Sequence, residues 1–212
     1  MTWDWIVSHR AELIGLLGEH TYLALMPVLC GLLISLPLGL ACLHWPRSYP
    51  PVLAATSVLY ALPSIALFVF LLDFTGLTAA TAIIPLTLYT LAILLRNVVD
   101  GLRSVPEPVR QSATAMGFGG VRRLVRVELP IAVPVIMAGV RVAAVSSISL
   151  VSVAALIGLG GLGQLFTDGF QRFFATPIIV GIVLTVLLAV VVDAVLVGVQ
   201  RVLTPWARGR AA

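Results

Sequence analysis

The chain has 212 residues, 60% hydrophobic and 10% charged, with a mean hydropathy of +1.10. Ordinary soluble domains hold roughly 45–50% apolar and about 25% charged residues, so a water-soluble globule is excluded and an integral membrane protein is indicated. The formal net charge of +4 rests on thirteen arginines without a single lysine. That removes a phosphate-loop lysine, Schiff-base chemistry and pyridoxal attachment, so any ATP hydrolysis has to be carried by another chain.

The first twenty residues lack a basic leader, which argues against a cleavable signal. Trp3, Trp5, Ile6, Leu13 and Leu16 alternate with polar residues there, the pattern of a helix lying in the outer membrane interface. Charge-free runs follow at Thr21 to Leu43, Ser48 to Leu72 and Phe74 to Leu95, each long enough to cross about 30 Å of hydrocarbon as a helix. Ile131 to Ile157 and Pro177 to Leu203 carry one charge each, Arg141 and Asp193, and complete an all-α architecture of five transmembrane helices across residues 21–203. Pro27, Pro37, Pro63 and Pro85 predict kinks, since neighbouring helices can satisfy the carbonyls that they free.

Residues 96–130 hold Arg96, Arg103, Arg110, Arg122, Arg123 and Arg126, and positive loops stay in the cytoplasm. With this loop inside, the Arg47 loop and the tail 204–212 also fall inside and the mainly acidic N-terminus falls outside. Ten of the thirteen arginines then agree with one topology. His9, His20 and His44 show no ligand spacing, stand at predicted span ends and give no metal site. Cys30 and Cys42 lie about 18 Å apart on one helix, too far for a disulfide.

Within the loop the spacing predicts a helical hairpin. Ser104 and Glu107, with Pro106 between them, read as a capping box. Pro108 fits the first turn, the helix runs through Gln111, Ser112, Ala113 and Met116, and Gly117 supplies a left-handed stop. Gly119 and Gly120 turn the chain into a second basic helix that ends at Leu129 and Pro130. By composition alone this is a solvated basic loop that fixes topology.

The spacing says more. Gln111-Ser112-Ala113, three residues, Gly117, nine residues, Val127, one residue and Leu129-Pro130 resembles, in every gap, the EAA loop of ABC-importer permeases. Ala113, Gly117, Leu129 and Pro130 match that pattern in identity. Gln111, Ser112 and Val127 depart from it, with the loss of the glutamate charge. Leu62-Pro63-Ser64-Ile65-Ala66-Leu67, Leu95-Arg96-Asn97, Gly139 to Ala144 and Ala154 to Gly163 extend the likeness over nearly the whole chain and resemble the osmoprotectant subfamily. That resemblance implies a type I (MetI-like) permease core in the cell membrane, importing glycine betaine, choline or carnitine. Methionine and other amino-acid permeases share the same core. It further implies a permease homo- or heterodimer, two cytoplasmic ATPase subunits carrying ATP and magnesium, and an external solute-binding protein, with no cofactor or nucleic acid on this chain. Pro108, Gln111, Ser112, Ala113, Met116, Gly117, Leu129 and Pro130 would then couple the chain to the ATPases.

Gly158 to Gly163 formally satisfies GxGxxG, but it follows a span on the outer side, where a tight turn at the external gate fits better than a dinucleotide. Tyr60, Phe68, Phe70, Phe74 and Tyr89 could cage a quaternary ammonium or simply fill core and face lipid. Tyr60, Pro63, Ser64, Ser146, Ser149 and Ser152 are pathway candidates, the serines lining a wet route or bonding across helices. Small residues every fourth position, Gly31, Ser35, Gly39 and Gly181, Thr185, Ala189, read as packing stripes. Arg141 and Asp193 lie about 15 Å and 14 Å deep on oppositely directed helices. An ion pair between them is expected, the competing partner for Arg141 being carbonyls or hydroxyls along the pathway. The rival function class is an ATP-independent secondary transporter or a membrane scaffold, against which stands the lack of a visible inverted repeat.

Overall fold

A computed structural model describes residues 3–206, so the tail with Arg208 and Arg210 lies outside the described residues. The chain runs α1 (Trp3–Ser8), α2 (Arg10–His44), α3 (Tyr49–Ala61), α4 (Ser64–Thr75), α5 (Ala79–Arg103), α6 (Glu107–Ala115), α7 (Gly120–Arg123), α8 (Leu129–Ala154), α9 (Gln164–Gln171) and α10 (Ala175–Leu203). Four helical stretches are long and apolar enough to cross a membrane: Arg10–His44, Ala79–Arg103, Gly120–Ile157 and Ala175–Leu203. The pair Pro46–Ala61 and Ser64–Thr75, bent by 90°, is together long and apolar enough for a fifth span. This is a membrane protein of helices alone, with no strand among the described residues.

The run from Ser48 to Leu72, read as a single kinked span, is therefore two helices. Proline disfavours the helical region for the residue before it, and Leu62 here turns extended (φ −67°, ψ 140°) and ends α3. The exposed Leu62 carbonyl accepts a hydrogen bond from Tyr89 Oη on α5 at 2.7 Å, which pins the break to the bundle. The third span runs from Ala79 to Arg103: Phe74 and Thr75 still belong to α4, and the loop read over 96–130 opens only after Arg103, so Arg96 lies within the helix.

The core is a three-helix contact of α2, α5 and α8. Leu23, Leu86, Tyr89 and Ile148 form one buried layer, and Val28, Leu94, Val98, Ile136 and Ala143 another. The Gly31, Ser35, Gly39 stripe is buried against α5: a side chain on Gly39 would begin 2.6 Å from Val98. Gly181 likewise packs on Leu165 and Phe166, while Thr185 and Ala189 line an open groove. Most of the rest of α10 is an exposed row of valines and leucines, as a lipid-facing helix requires.

Much of the N-terminal segment is continuous with the first long helix. α2 begins at Arg10 rather than Thr21 and spans about 52 Å at 1.5 Å per residue. Its first turns pack Leu13, Leu16 and Leu17 against Leu162 and Leu165. His20, read as standing at a span end, lies inside this helix. It is fully buried, with Nε2 2.9 Å from Ile148 O and Nδ1 3.2 Å from Gly160 O. The glycine turn makes this possible, since Gly161 (φ +47°) presses its Cα against the His20 backbone, where a Cβ would stand 2.6 Å from His20 N. Cys42 is buried, Cys30 half-buried, and both are free thiols.

Candidate functional site: a helical hairpin and an open groove

The hairpin forms where a backbone signal meets a charge network. α6 begins after Pro106, whose extended backbone (φ −62°, ψ 137°) occupies the N-cap without any side-chain cap. The capping box is thus not made: Ser104 Oγ donates to Gly101 O at 2.7 Å, closing the end of α5. Gly117 ends the helix at φ +81°, with Phe118 N donating to Ala113 O at 3.1 Å. Ala113 is buried beneath α6, whereas Pro108, Gln111, Ser112 and Met116 point outward, Met116 at 69% exposure.

The second arm does not stop at Leu129 and Pro130. Residues Gly120–Ile157 form one long helix through a π-helical turn at Leu124–Glu128, in which Leu129 N donates to Leu124 O. Pro130 has no N–H to offer the preceding turn, and the widened turn lets the helix pass it without a break. The second arm of the hairpin and the fourth span are in this way one rod.

Glu128, half a turn before Pro130, is the residue that sequence reasoning passed over. It is largely buried and accepts a hydrogen bond from Arg123 Nε at 2.7 Å, with Arg110 Nε 3.7 Å away. Arg110 also donates to Leu102 O at 2.6 Å, and Arg123 to Thr114 Oγ1 at 3.0 Å. One carboxylate thus ties α6, the second arm and the end of α5 together. An open hollow of about 520 Å³ between the arms is lined by Glu107, Arg110, Gln111, Thr114 and Arg123.

The bundle carries an open groove along the exposed face of α8. Its first section, about 390 Å³, is lined by Tyr60, Arg96, Asn97, Val142 and Ser146 among others. The next, about 410 Å³, shares Val142 and Ser146 and adds Arg141 and Asp193. A third, about 330 Å³, lies between α8 and α10 at Ser149, Ser152 and Thr185. The structure brings Arg141 and Asp193 into a two-pronged ion pair, Nε to Oδ1 at 2.7 Å and the second guanidinium nitrogen to Oδ2 at 2.8 Å. It does not bring the aromatic residues into a cage: Phe68 and Tyr89 are core, Phe70 and Phe74 stand exposed on α4, and only Tyr60 faces the groove. Pro63 and Ser64 form the break of the bent span.

A rigid helical bundle with a short amphipathic hairpin on one end and a polar groove along one side invites comparison with known transport proteins. Residues 31–208 match the family described as the inner membrane component of binding-protein-dependent transport systems. The chain belongs to that family. It is 31% identical over 198 residues to the glycine betaine/carnitine/choline transport system permease protein OpuCB of Bacillus subtilis, covering 93% of this chain and 91% of that protein. With the osmoprotectant import permease protein OsmW of Salmonella typhimurium it shares 34% over 209 residues, covering 96% and 97%. Among solved structures, an inward-facing conformation of the MetNI methionine ABC transporter aligns over 96% of this chain and all of that one, with a TM-score of 0.79 at 22% identity, which establishes the shared fold. As a family member, the chain is a transport component of the cell membrane.

Proposed function

We propose that this chain is the permease subunit of an ATP-driven importer of osmoprotectants such as glycine betaine, choline or carnitine. The observation that carries the reading is similarity of 31–35% over about nine-tenths of the chain to permeases named for those solutes. The hairpin supports the coupling half of the proposal. A helix that presents Pro108, Gln111, Ser112 and Met116 outward on a rod continuous with a span transmits a push from a docked ATPase directly into the bundle. On this reading two permeases pair along their grooves, two ATPase subunits hold the ATP and magnesium, and an external binding protein delivers the solute. No cofactor sits on this chain. The arginine distribution supports a cytoplasmic hairpin and C-terminus with an external N-terminus.

The test is uptake into proteoliposomes holding the permease with its genomically adjacent ATPase and binding protein, using radiolabelled glycine betaine, choline, carnitine and methionine. ATP-dependent accumulation of one or more of the first three is expected. Accumulation of methionine alone, or transport without the ATPase, overturns the proposal.

A further inference from the structure

At the end of the bundle opposite the hairpin, α1 and the first turn of α2 meet α9 around a pocket of about 140 Å³, lined by Trp5, His9, Glu12, Asp168, Arg172 and Phe174 among others. It shares no residue with the three groove sections, so it stands beside the groove rather than in it. One wall is a braced aromatic plate. Trp5 stacks on His9 with ring centroids 4.3 Å apart, meets Phe174 edge-on at 6.2 Å, and places its carbonyl oxygen 2.8 Å from His9 Nδ1. The same pocket holds two carboxylates and one guanidinium. Arg172 stands 4.0 Å from Asp168 with the two side chains 74% and 51% exposed, a pair that contributes little. Glu12 is exposed and has no ion pair or hydrogen bond among the described residues.

An unpaired carboxylate beside an aromatic face selects a cation, and a pocket of this size takes a single side chain. Arginine suits it best, since a guanidinium stacks on an indole and forks a carboxylate at once. Two observations say whose side chain it is. The family is defined by dependence on a binding protein, and the arginine distribution turns this end outward, the side from which such a protein delivers its solute. The stretch that matches the family begins at residue 31, so Trp5, His9 and Glu12 lie outside the part common to its members, where recognition of one particular binding protein can reside. We infer that this pocket is the socket in which the external binding protein seats a basic side chain, with Glu12 and Asp168 as its acceptors and Trp5 as its stacking face. The inference rests on the importer reading above and deepens it: the choice of partner is made by the first helical segment, not by the transport core.

The experiment uses the complete permease–ATPase complex in lipid nanodiscs with its genomically adjacent binding protein, fluorescently labelled, and reads the dissociation constant and its dependence on sodium chloride. Glu12→Gln should weaken binding at least about tenfold, Glu12→Lys more, and both should flatten the salt dependence of the wild type. Trp5→Phe should keep most of the affinity and Trp5→Ala should lose it. Asp73→Asn, which removes an exposed acid at the same end of the bundle but outside the pocket, should bind as wild type does. Charge exchange identifies the guest: among binding proteins with one arginine or lysine changed to glutamate, one should bind the wild-type permease poorly and Glu12→Arg well. If Trp5→Ala fails to fold, the Glu12 variants, which break no polar contact within the chain, still decide. Unchanged affinity in both Glu12 variants, an equal loss with Asp73→Asn, or the absence of any binding protein rescued by Glu12→Arg overturns the inference. Failure of the wider functional reading looks different: it is the absence of osmoprotectant uptake by the complete wild-type transporter, whatever its affinity for the binding protein.

Discussion

Thr90 Oγ1 fills the space in which a side chain on Gly31 would begin, while donating to Pro27 O one turn earlier on the same helix at 3.1 Å. The α2–α5 crossing is thus set by a bare backbone at residue 31 and a hydroxyl that ties the two helices. Gly31→Ala should destabilise the complex by about 1–3 kcal/mol, the usual cost of overfilling a packed contact. Thr90→Ala removes the obstructing atom, so the Gly31→Ala/Thr90→Ala protein should melt closer to wild type than Gly31→Ala alone. Thermal unfolding of the three variants in one detergent checks this, and an additive double mutant would refute the contact.

Gly117 offers the opposite case. No atom lies within 4 Å of the position its Cβ would take, yet its φ is +81°. A substitution there acts on backbone conformation alone. Gly117→Val should leave insertion and yield near wild type, misplace α6 and lower transport per ATP hydrolysed severalfold. Normal transport with normally stimulated ATPase activity would remove α6 from the coupling role.

How far these features were legible depends on whether they arise along the chain or across it. The stop at Gly117, the packing stripe at Gly31, Ser35 and Gly39 and the family pattern are local, and spacing reveals them. The 90° break at Pro63 needed Tyr89 from another helix to hold it, and the burial of His20 needed carbonyls from Ile148 and Gly160, more than a hundred residues away. Leu129-Pro130 reads as a helix end because proline normally interrupts a helix. The π-helical turn that carries the chain through it has no sequence signature of its own. Glu128 did leave a trace: it is the sole acid between Glu107 and Asp168, and it follows three arginines within six residues.

Glu128 is expected to act as the rivet of the hairpin. Glu128→Ala strands Arg123 and removes the nearer counter-charge from Arg110, while the Arg110 bond to Leu102 O survives. The bundle should remain folded, the hairpin amides from 107 to 123 should exchange hydrogen at least about tenfold faster, and ATPase stimulation by the loaded binding protein should fall. Unchanged exchange would show that the arms hold together without the carboxylate.

The orientation is open to direct measurement. After replacement of Cys30 and Cys42, a cysteine at exposed Ser104 should react with an impermeant thiol reagent only from the cytoplasmic side, and one at Leu77, 65% exposed in the turn between α4 and α5, only from outside. The reversed pattern would invert the arginine-based topology.

The Arg141–Asp193 pair is the main polar link between α8 and α10 within the groove, and it lies open on one side, with the two side chains 37% and 34% exposed. Two consequences follow from the geometry. Arg141→Ala leaves Asp193 facing the groove with its fork-shaped partner gone. Asp193→Ala leaves Arg141 and Arg96 facing the same space as two uncompensated cations. Either single change should therefore lower folded yield and uptake, and the second should be worse for a solute that carries a positive ammonium. The double Arg141→Ala/Asp193→Ala restores the charge balance without the link, so it should recover yield above both singles. The exchanged pair Arg141→Asp/Asp193→Arg keeps both charge and link and should recover uptake as well. If the pair merely decorates the groove, all four proteins will behave alike. If Arg141 serves a separate purpose, such as bonding hydroxyls along the pathway, the double mutant and the exchanged pair will be as defective as Arg141→Ala. Only recovery in the double mutant, with further recovery of uptake in the exchange, identifies the pair itself as the functional unit.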